Sequence, residues 1–466
     1  MILTLVSIYL AITLAIGFYF SRRIRTSTDF ALAGRKLPLI ITSTAFFATW
    51  FGAETVMGAS SEFVDGGMAA VIEDPFGASL ALFLVGVFMV RYFYRKNIIS
   101  LGDFYRDKFG KRFEFWSGIF MILTFFGWVA AQFVAFGLIL SLLSGLSVEL
   151  CIGIGAVVVL TYTLAGGMFA ISFSDFMQTI VIVGGMLFLA YEFSEQAGGV
   201  SKVMESVPDG FFNLLPESDI NSISWYFAAL MTLALGSLPS QDVFQRMMSA
   251  KSESVARNAA ILGAVLYLTI ALIPLFLVLC ARVMMPEVVE NNPDAALIEL
   301  VMAGSNDLVK VLFFGALLSA ILSTASAAIL APSVILAENI VKPAMKHKMN
   351  DKMMLRSLRY SVVVIGVLSL ALSLLKSSIY ELVGESSALG VVALFTPLIA
   401  GMYDKSPSGL AAMISMLTGT GVWIVFRFYE EALDFPSLLP GLAASALAYI
   451  VVKIINRRTN SNNSIA

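Results

Sequence analysis

Apolar runs long enough to cross a bilayer follow one another along almost the whole of this 466-residue chain. A hydrocarbon layer of about 30 Å needs about 20 apolar residues in a helix. By that window spans are expected at 3–21, 38–60, 66–91, 113–144, 147–170, 174–193, 223–248, 255–284, 308–341, 356–376, 379–402, 407–429 and 435–455. The pattern predicts an all-α polytopic membrane protein with about 13 transmembrane helices. Composition agrees: 58% of residues are hydrophobic and 13% charged, with a mean hydropathy of +0.87. The longest polar stretches, 92–112, 194–222 and 342–355, are too short to bury a core of their own. The chemistry must therefore sit inside the membrane.

Several function classes fall away. The net charge of −2 averages loops of opposite character and gives no sign of a nucleic-acid partner. Two cysteines within apolar segments, Cys151 and Cys280, and one histidine in a polar loop, His347, offer neither a disulfide framework nor a His/Cys metal site. No Gly-rich phosphate loop is present, which argues against ATP-driven transport. Gradient-driven transport, passive conduction and signalling remain. An intramembrane enzyme is disfavoured, because no nucleophile and base pair stands out.

Orientation follows from the basic residues. The first run, LTLVSIYLAITLAIGFYF, precedes Arg22, Arg23 and Arg25, whereas a cleavable signal carries its positive charge before the apolar segment, so a retained helix is expected. With the amino terminus outside, the inner segments collect 25 of the 30 basic residues, Arg246 among them. Cationic loops resist translocation, so the amino terminus is expected outside and the carboxyl terminus in the cytoplasm of a plasma membrane.

Two spans look broken. ATWFGAETV places Gly52 and Glu54 in the middle of the second, and LALGSLPSQDVFQR places Gly236, Pro239 and Asp242 in the seventh. Glycine and proline alone often do no more than kink a membrane helix. A matched pair of interruptions five spans apart, each with an acidic residue, fits inverted repeats with a ligand site near the midplane. The ninth span adds Ser319, Ser323, Thr324, Ser326 and Ser333 among many alanines. Such a stripe suits close helix packing, and its hydroxyls equally suit a hard cation that prefers oxygen ligands.

These stretches resemble the sodium:solute symporter family. The resemblance rests on ATWFGAE, on TYTLAGGMFAISFSDFMQ at 161–178, on LPSQDVFQRMMSA at 238–250, and on Ala320, Ser323 and Thr324 as the A-x-x-S-S/T pattern. It covers about residues 30–405. It implies a leucine-transporter-type 5+5 inverted-repeat core: an extra amino-terminal helix and inner loop at 1–37, a first repeat at 38–193, an outer loop at 194–222, a second repeat at 223–405, and two peripheral helices with an inner tail at 406–466. It also implies Na+ held by the carbonyls of Ala48, Phe51 and Ala320 and the hydroxyls of Ser323 and Thr324. A second ion site, present in some members, would use Asp175 and Ser326, with Ala327 where a further serine is found.

The resemblance further implies a small-molecule solute bound between the breaks. Intramembrane carboxylates usually face a cavity or a partner, which singles out Glu54, Glu73, Asp74 and Asp175, since few basic residues lie within the spans to neutralise them. Trp50 lies about 18 Å into its span, away from the interfacial belts that tryptophan favours. Trp50 and Trp128 coincide with tryptophans that cage a quaternary ammonium in choline-transporting members, whereas Ser240 stands where those members have another. Thr55 and Gly77 replace polar residues at the sugar-binding positions of glucose members. The expected solute is an amine-bearing cation or zwitterion, choline-like or an amino acid. It would be bound by Trp50, Glu54, Thr55, Glu73, Asp74, Trp128, Ser240 and Gln241, with Na+ as coupling ion. The alternative class is a sodium- or solute-sensing receptor or a channel-like member, and uptake driven by a sodium gradient separates the two.

Overall fold

Backbone groups in hydrocarbon must pair internally, and this chain pairs them in helices. The computed structural model describes all residues except 1, 23, 292, 294, 295, 347, 376, 377 and 464–466. Arg23, His347 and Lys376 thus lie outside the described residues. Extended pairing is limited, among the described residues, to one parallel bridge between Leu37 and Ala250. It ties the entrance of the first broken span to the exit of the second.

The main helices are α1 (Ile2–Ser21), α2 (Leu39–Trp50), α3 (Glu54–Ala70), α4 (Ile72–Lys96), α5 (Leu101–Phe109), α6 (Lys111–Ser144), α7 (Val148–Gln196), α8 (Ile220–Gly236) and α9 (Gln241–Ser249). After them come α10 (Glu253–Met284), α11 (Asp307–Ala344), α12 (Asp351–Ser373), α13 (Ile379–Tyr403), α14 (Gly409–Leu433) and α15 (Leu438–Asn456). Among the described residues, nine helices are long and apolar enough to span a membrane, or eleven when the bent pairs α2/α3 and α8/α9 each count as one. Counting α7 as two spans and adding the 20-residue α1 recovers the thirteen read from the sequence.

Two expected boundaries move. The second span, expected to end at residue 60, runs on past exposed Glu62 and Asp65 to a break at Gly67 (φ 67°, ψ −156°). The fifth and sixth spans were expected as 147–170 and 174–193 with a short loop between. Instead α7 is one 49-residue rod broken at Gly167 (φ 48°, ψ −164°). At 1.5 Å per residue it would be about 74 Å long if straight, far more than one bilayer core. The chain reverses at a single glycine whose left-handed φ and contact with the Phe30 carbonyl, 2.7 Å from where a Cβ would lie, both exclude a side chain.

The most interior element is α11, buried without interruption from Phe313 to Ile335. It packs on α6, α7 and α2. Its small residues let those helices approach, and Tyr9 of α1 reaches over to Ser319.

One end of the bundle is sealed. Ser100 caps α5 by accepting from the Asp103 N–H at 3.1 Å and also bonds Asn339 at 2.7 Å. Asn339 donates to Glu114 at 2.9 Å, and Arg106 donates to Asp103 at 3.0 Å. Edge-on aromatic rings continue the seal, with Phe93 and Phe104 centroids 4.9 Å apart and Phe109 and Phe113 5.0 Å apart.

Candidate functional site

The two broken spans meet in the middle of the bundle. The first bends by 59° between α2 and α3, and the second by 46° between α8 and α9. At the second, α8 lies so close to α13 that a Cβ on Gly236 would sit 2.4 Å from the Ser387 carbonyl oxygen. Pro239 follows and cannot supply a backbone donor to continue the helix.

Four of the five expected sodium ligands converge at the first break. The Ser323 hydroxyl lies 3.2 Å from the Ala48 carbonyl oxygen, and Thr324 lies 3.3 Å from those of both Ala48 and Phe51. Ala320, one turn earlier on α11, is fully buried. The break leaves α2 carbonyls without helical donors, and α11 brings hydroxyls to face them.

The two residues expected at a second ion site have different partners. Asp175 accepts from Ser323 at 2.6 Å and faces the Arg246 guanidinium at 3.7 Å. Ser326 donates back into its own helix, to the Leu322 carbonyl at 2.6 Å. Arg246, counted from sequence with the inner-loop cations, is instead fully buried in α9, where its Nε donates to the Ala45 carbonyl at 3.2 Å. One of the few basic groups within the spans, Arg246, is therefore at hand to meet Asp175.

Around the break the other expected residues separate. Trp50, Trp128 and Ser240 line one small cavity of about 20 Å³ together with Thr124, Phe125, Asp242 and Ser386. That is room for about one water. Ser240 also hydrogen-bonds Asp242.

Thr55 and Asp74 belong to an adjoining buried network. Thr55 donates to Asp74 Oδ2 at 2.8 Å, and Tyr267 donates to Asp74 Oδ1 at 2.8 Å while lying 3.2 Å from the Trp50 carbonyl. Glu54 accepts from Gln132 Nε2 at 2.7 Å and does not line the cavity. Glu73 lines a separate, wider cavity of about 400 Å³ with Trp225, Thr232, Tyr380, Gly384 and Arg427.

Gln241 is not in the cavity either. Its carbonyl oxygen accepts from the Leu101 N–H at 2.9 Å, which ties α9 to the start of α5 and serves the seal.

The wide cavity opens at the end opposite the seal. Its Thr232 lies about one helical turn before Gly236 of the small cavity, and Gly384 and Ala388 flank Ser386 and Ser387 on α13. The protein thus holds a vestibule on one side of the break region and a closed layer on the other.

Sequence reasoning missed Tyr267, Gln132 and the cavity position of Asp242. Gln132 was accessible: it falls four residues after Trp128, on the same face of α6. Tyr267 carried no local signal beyond being a polar group within an apolar span.

A family model described as the sodium:solute symporter family matches residues 30–419. The chain belongs to the sodium:solute symporter family. Its activity is sodium-coupled symport of a small solute. Among curated relatives of this symporter, the human high affinity choline transporter 1 is 27% identical over 431 residues, which cover 88% of this chain and 73% of that protein. The Bacillus subtilis high-affinity proline transporter PutP is 24% identical, covering 95% and 96%. Among solved structures, a Na+-coupled sialic acid symporter in a substrate-bound outward-open state superposes with a TM-score of 0.84 at 18% identity over 98% of both chains. The transporter Mhp1 in a closed conformation gives 0.62 at 16% identity over 92% and 95%. These two show the fold, the leucine-transporter-type core expected from the paired breaks.

Proposed function

We propose that this symporter imports a small amine-bearing solute, a choline-like cation or a zwitterionic amino acid, by alternating access driven by Na+. The observation that carries the solute class is the cavity between the breaks, where two tryptophan rings and the Asp242 carboxylate surround one space. Aromatic faces attract an ammonium group through their quadrupole, and a desolvated carboxylate supplies the counter-charge. The curated relatives that transport choline and proline agree with that chemistry.

Sodium is held, in this reading, by the carbonyls of Ala48, Phe51 and Ala320 and the hydroxyls of Ser323 and Thr324. Na+ bound there would supply positive charge to a set of carbonyl and hydroxyl oxygens. The chain's own part is to present carbonyls freed by the break and to hold two hydroxyls opposite them. Trp50 sits between these oxygens and the cavity, so ordering the break for the ion also fixes one wall for the solute. Linkage then requires each ligand to tighten the other by the same factor, typically about 5- to 150-fold.

The chain is placed with its amino terminus outside and its carboxyl terminus in the cytoplasm of a plasma membrane, on the distribution of basic residues. The vestibule bordered by Trp225, Tyr380 and Arg427 then faces outward and the Asn339 seal faces the cytoplasm. The first repeat is assigned to 38–193 and the second to 223–405, with 1–37, 194–222 and 406–466 peripheral.

Uptake into proteoliposomes of labelled choline and of labelled proline, with an inward Na+ gradient or with K+ in its place, tests the reading. Accumulation of at least one of them only under the Na+ gradient is expected. Equal accumulation in Na+ and K+, or transport of sugars alone, overturns it.

A further inference from the structure

Three arginines meet where α4 and α10 lie against each other at the sealed end of the bundle. Gly86 of α4 permits the close contact: a Cβ there would lie 2.9 Å from Ile261 Cγ1 and 3.2 Å from the Arg257 carbonyl oxygen. Farther along α4, Tyr94 donates to the Ala250 carbonyl at 2.8 Å, which pins the end of the helix to the residues leading into α10. Beside these ties a cavity of about 510 Å³ opens, and its polar lining is Arg91, Arg95, Ser252, Glu253, Ser254 and Arg257.

The charges in this slot do not balance. Arg95 holds Glu253 through two hydrogen bonds, at 2.8 and 3.3 Å. Arg91 and Arg257 make no ion pair of their own among the described residues and face the same carboxylate from farther off. Three guanidiniums thus share one carboxylate, and two positive charges are left over. Ser252 caps α10 by accepting from the Val255 N–H at 3.2 Å, and its hydroxyl lies 3.1 Å from that of Ser254. The positive end of a 32-residue helix therefore opens on the same space. Guanidiniums, hydroxyls and a helix N-terminus are together the donor set that a phosphate group takes.

The apolar side of the slot says what carries the phosphate. Val87 lines it one helical turn before Arg91 and is 40% exposed. Phe83 and Phe88 on α4 and Leu262 and Val265 on α10 are exposed as well, at levels of the two spans where the surroundings are hydrocarbon. From Phe83 to Arg91 the surface passes from an apolar wall to a cationic floor, the order of a phospholipid from chain to headgroup. We propose that the slot between α4 and α10 binds an anionic phospholipid, with its phosphate between Arg91 and Arg257 and its chains along Val87 and Phe83. In the orientation proposed above this is the cytoplasmic leaflet, whose anionic lipids attract basic clusters. Only the leaflet rests on that orientation, and the phosphate site is independent of the sodium reading. The lipid would relieve the repulsion among the arginines and clamp α4 to α10. Because α10 packs on α2, with Phe46 Cβ 2.8 Å from where a Cβ on Gly263 would lie, the clamp also supports the helix that leads into the first break.

The test is the apparent melting temperature of the purified full-length protein in detergent, without Na+ or solute, titrated with dioleoylphosphatidylglycerol, with dioleoylphosphatidylcholine or with inorganic phosphate. A ligand of the folded state raises that temperature with its concentration. A rise with phosphatidylglycerol well beyond that with phosphatidylcholine is expected for the wild type. Arg91→Gln with Arg257→Gln should need at least about tenfold more phosphatidylglycerol for the same rise, while its melting in phosphatidylcholine stays near that of the wild type. Ser254→Asp, which puts a carboxylate into the slot at a helix position that favours one, serves as the second variant should the double substitution not fold, and the same loss is expected there. An equal response of the wild type to the two lipids, or an undiminished response of a folded variant to phosphatidylglycerol, would overturn the site. An equal rise with inorganic phosphate would show a pocket for a soluble anion and overturn the lipid assignment.

Discussion

The two broken helices meet at the same depth and solve the same problem in opposite ways. At the break between α2 and α3, Glu54 has an amide and a hydroxyl for company. At the break between α8 and α9, Arg246 faces Asp175 on α7, while Asp242, one helical turn before it, lines the cavity. One break carries its own counter-ion. At the other, buried Glu54 faces an amide and a hydroxyl, with no lysine or arginine paired to it among the described residues. A transporter needs both: a fixed half whose buried arginine holds shape, and an oxygen-lined half whose shape depends on a ligand that comes and goes.

That difference is most sharply broken at Arg246. Replacing it by methionine strands Asp175 as a buried carboxylate without its cation, and removing one partner of a buried pair costs about 3–5 kcal/mol. A large fall in the apparent melting temperature of the purified protein is expected, together with recovery of most of it in Arg246→Met with Asp175→Asn. Glu54→Gln, which strands no protein cation, should shift melting far less. Equal destabilisation by Arg246→Met and Glu54→Gln would erase the distinction between the halves.

The next effect belongs to the oxygen-lined half. Ser323→Ala with Thr324→Ala removes two hydroxyls and should raise the sodium concentration for half-maximal uptake at least tenfold, about 1.4 kcal/mol. Surface amount must be measured alongside, and unchanged sodium dependence in well-expressed protein refutes the ligand assignment. A smaller effect separates ion from solute. Trp50→Ala removes one aromatic face and should weaken binding of an amine by about 0.5–2 kcal/mol, while sodium binding without solute, followed by calorimetry, stays nearly unchanged. If sodium affinity falls as far as solute affinity, Trp50 shapes the break and not the cavity.

Much of this was legible in the sequence because membranes impose few solutions. Apolar length gave the spans, and Gly52 with Pro239 gave the breaks. The spacing of Ser323 and Thr324 placed both hydroxyls where the carbonyls of Ala48 and Phe51 are found.

What stayed hidden was hidden for identifiable reasons. The reversal at Gly167 needs one residue and no polar loop, so hydropathy shifted it to 171–173. A break resets helical phase, so nothing in the pattern told that Gln241 turns toward Leu101 while Ser240 turns toward the cavity. Arg246 looked like a loop cation because the partner that makes its burial tolerable, Asp175, comes from a distant span. Charge pairing across spans is a property of the fold and has no local signature.

The small cavity between the breaks holds about 20 Å³, too little for any organic solute. Loading therefore has to part α6, which carries Trp128, from α13, so solute binds only the fraction of molecules in which the two have parted. Apparent affinity is the intrinsic affinity scaled by that fraction, so if one molecule in a hundred is open, binding is weakened a hundredfold, or about 2.7 kcal/mol. Substitutions between α6 and α13 outside the cavity lining that hold the two helices apart would thus sharpen solute binding without touching a solute contact, and would slow the closure on which each transport cycle depends.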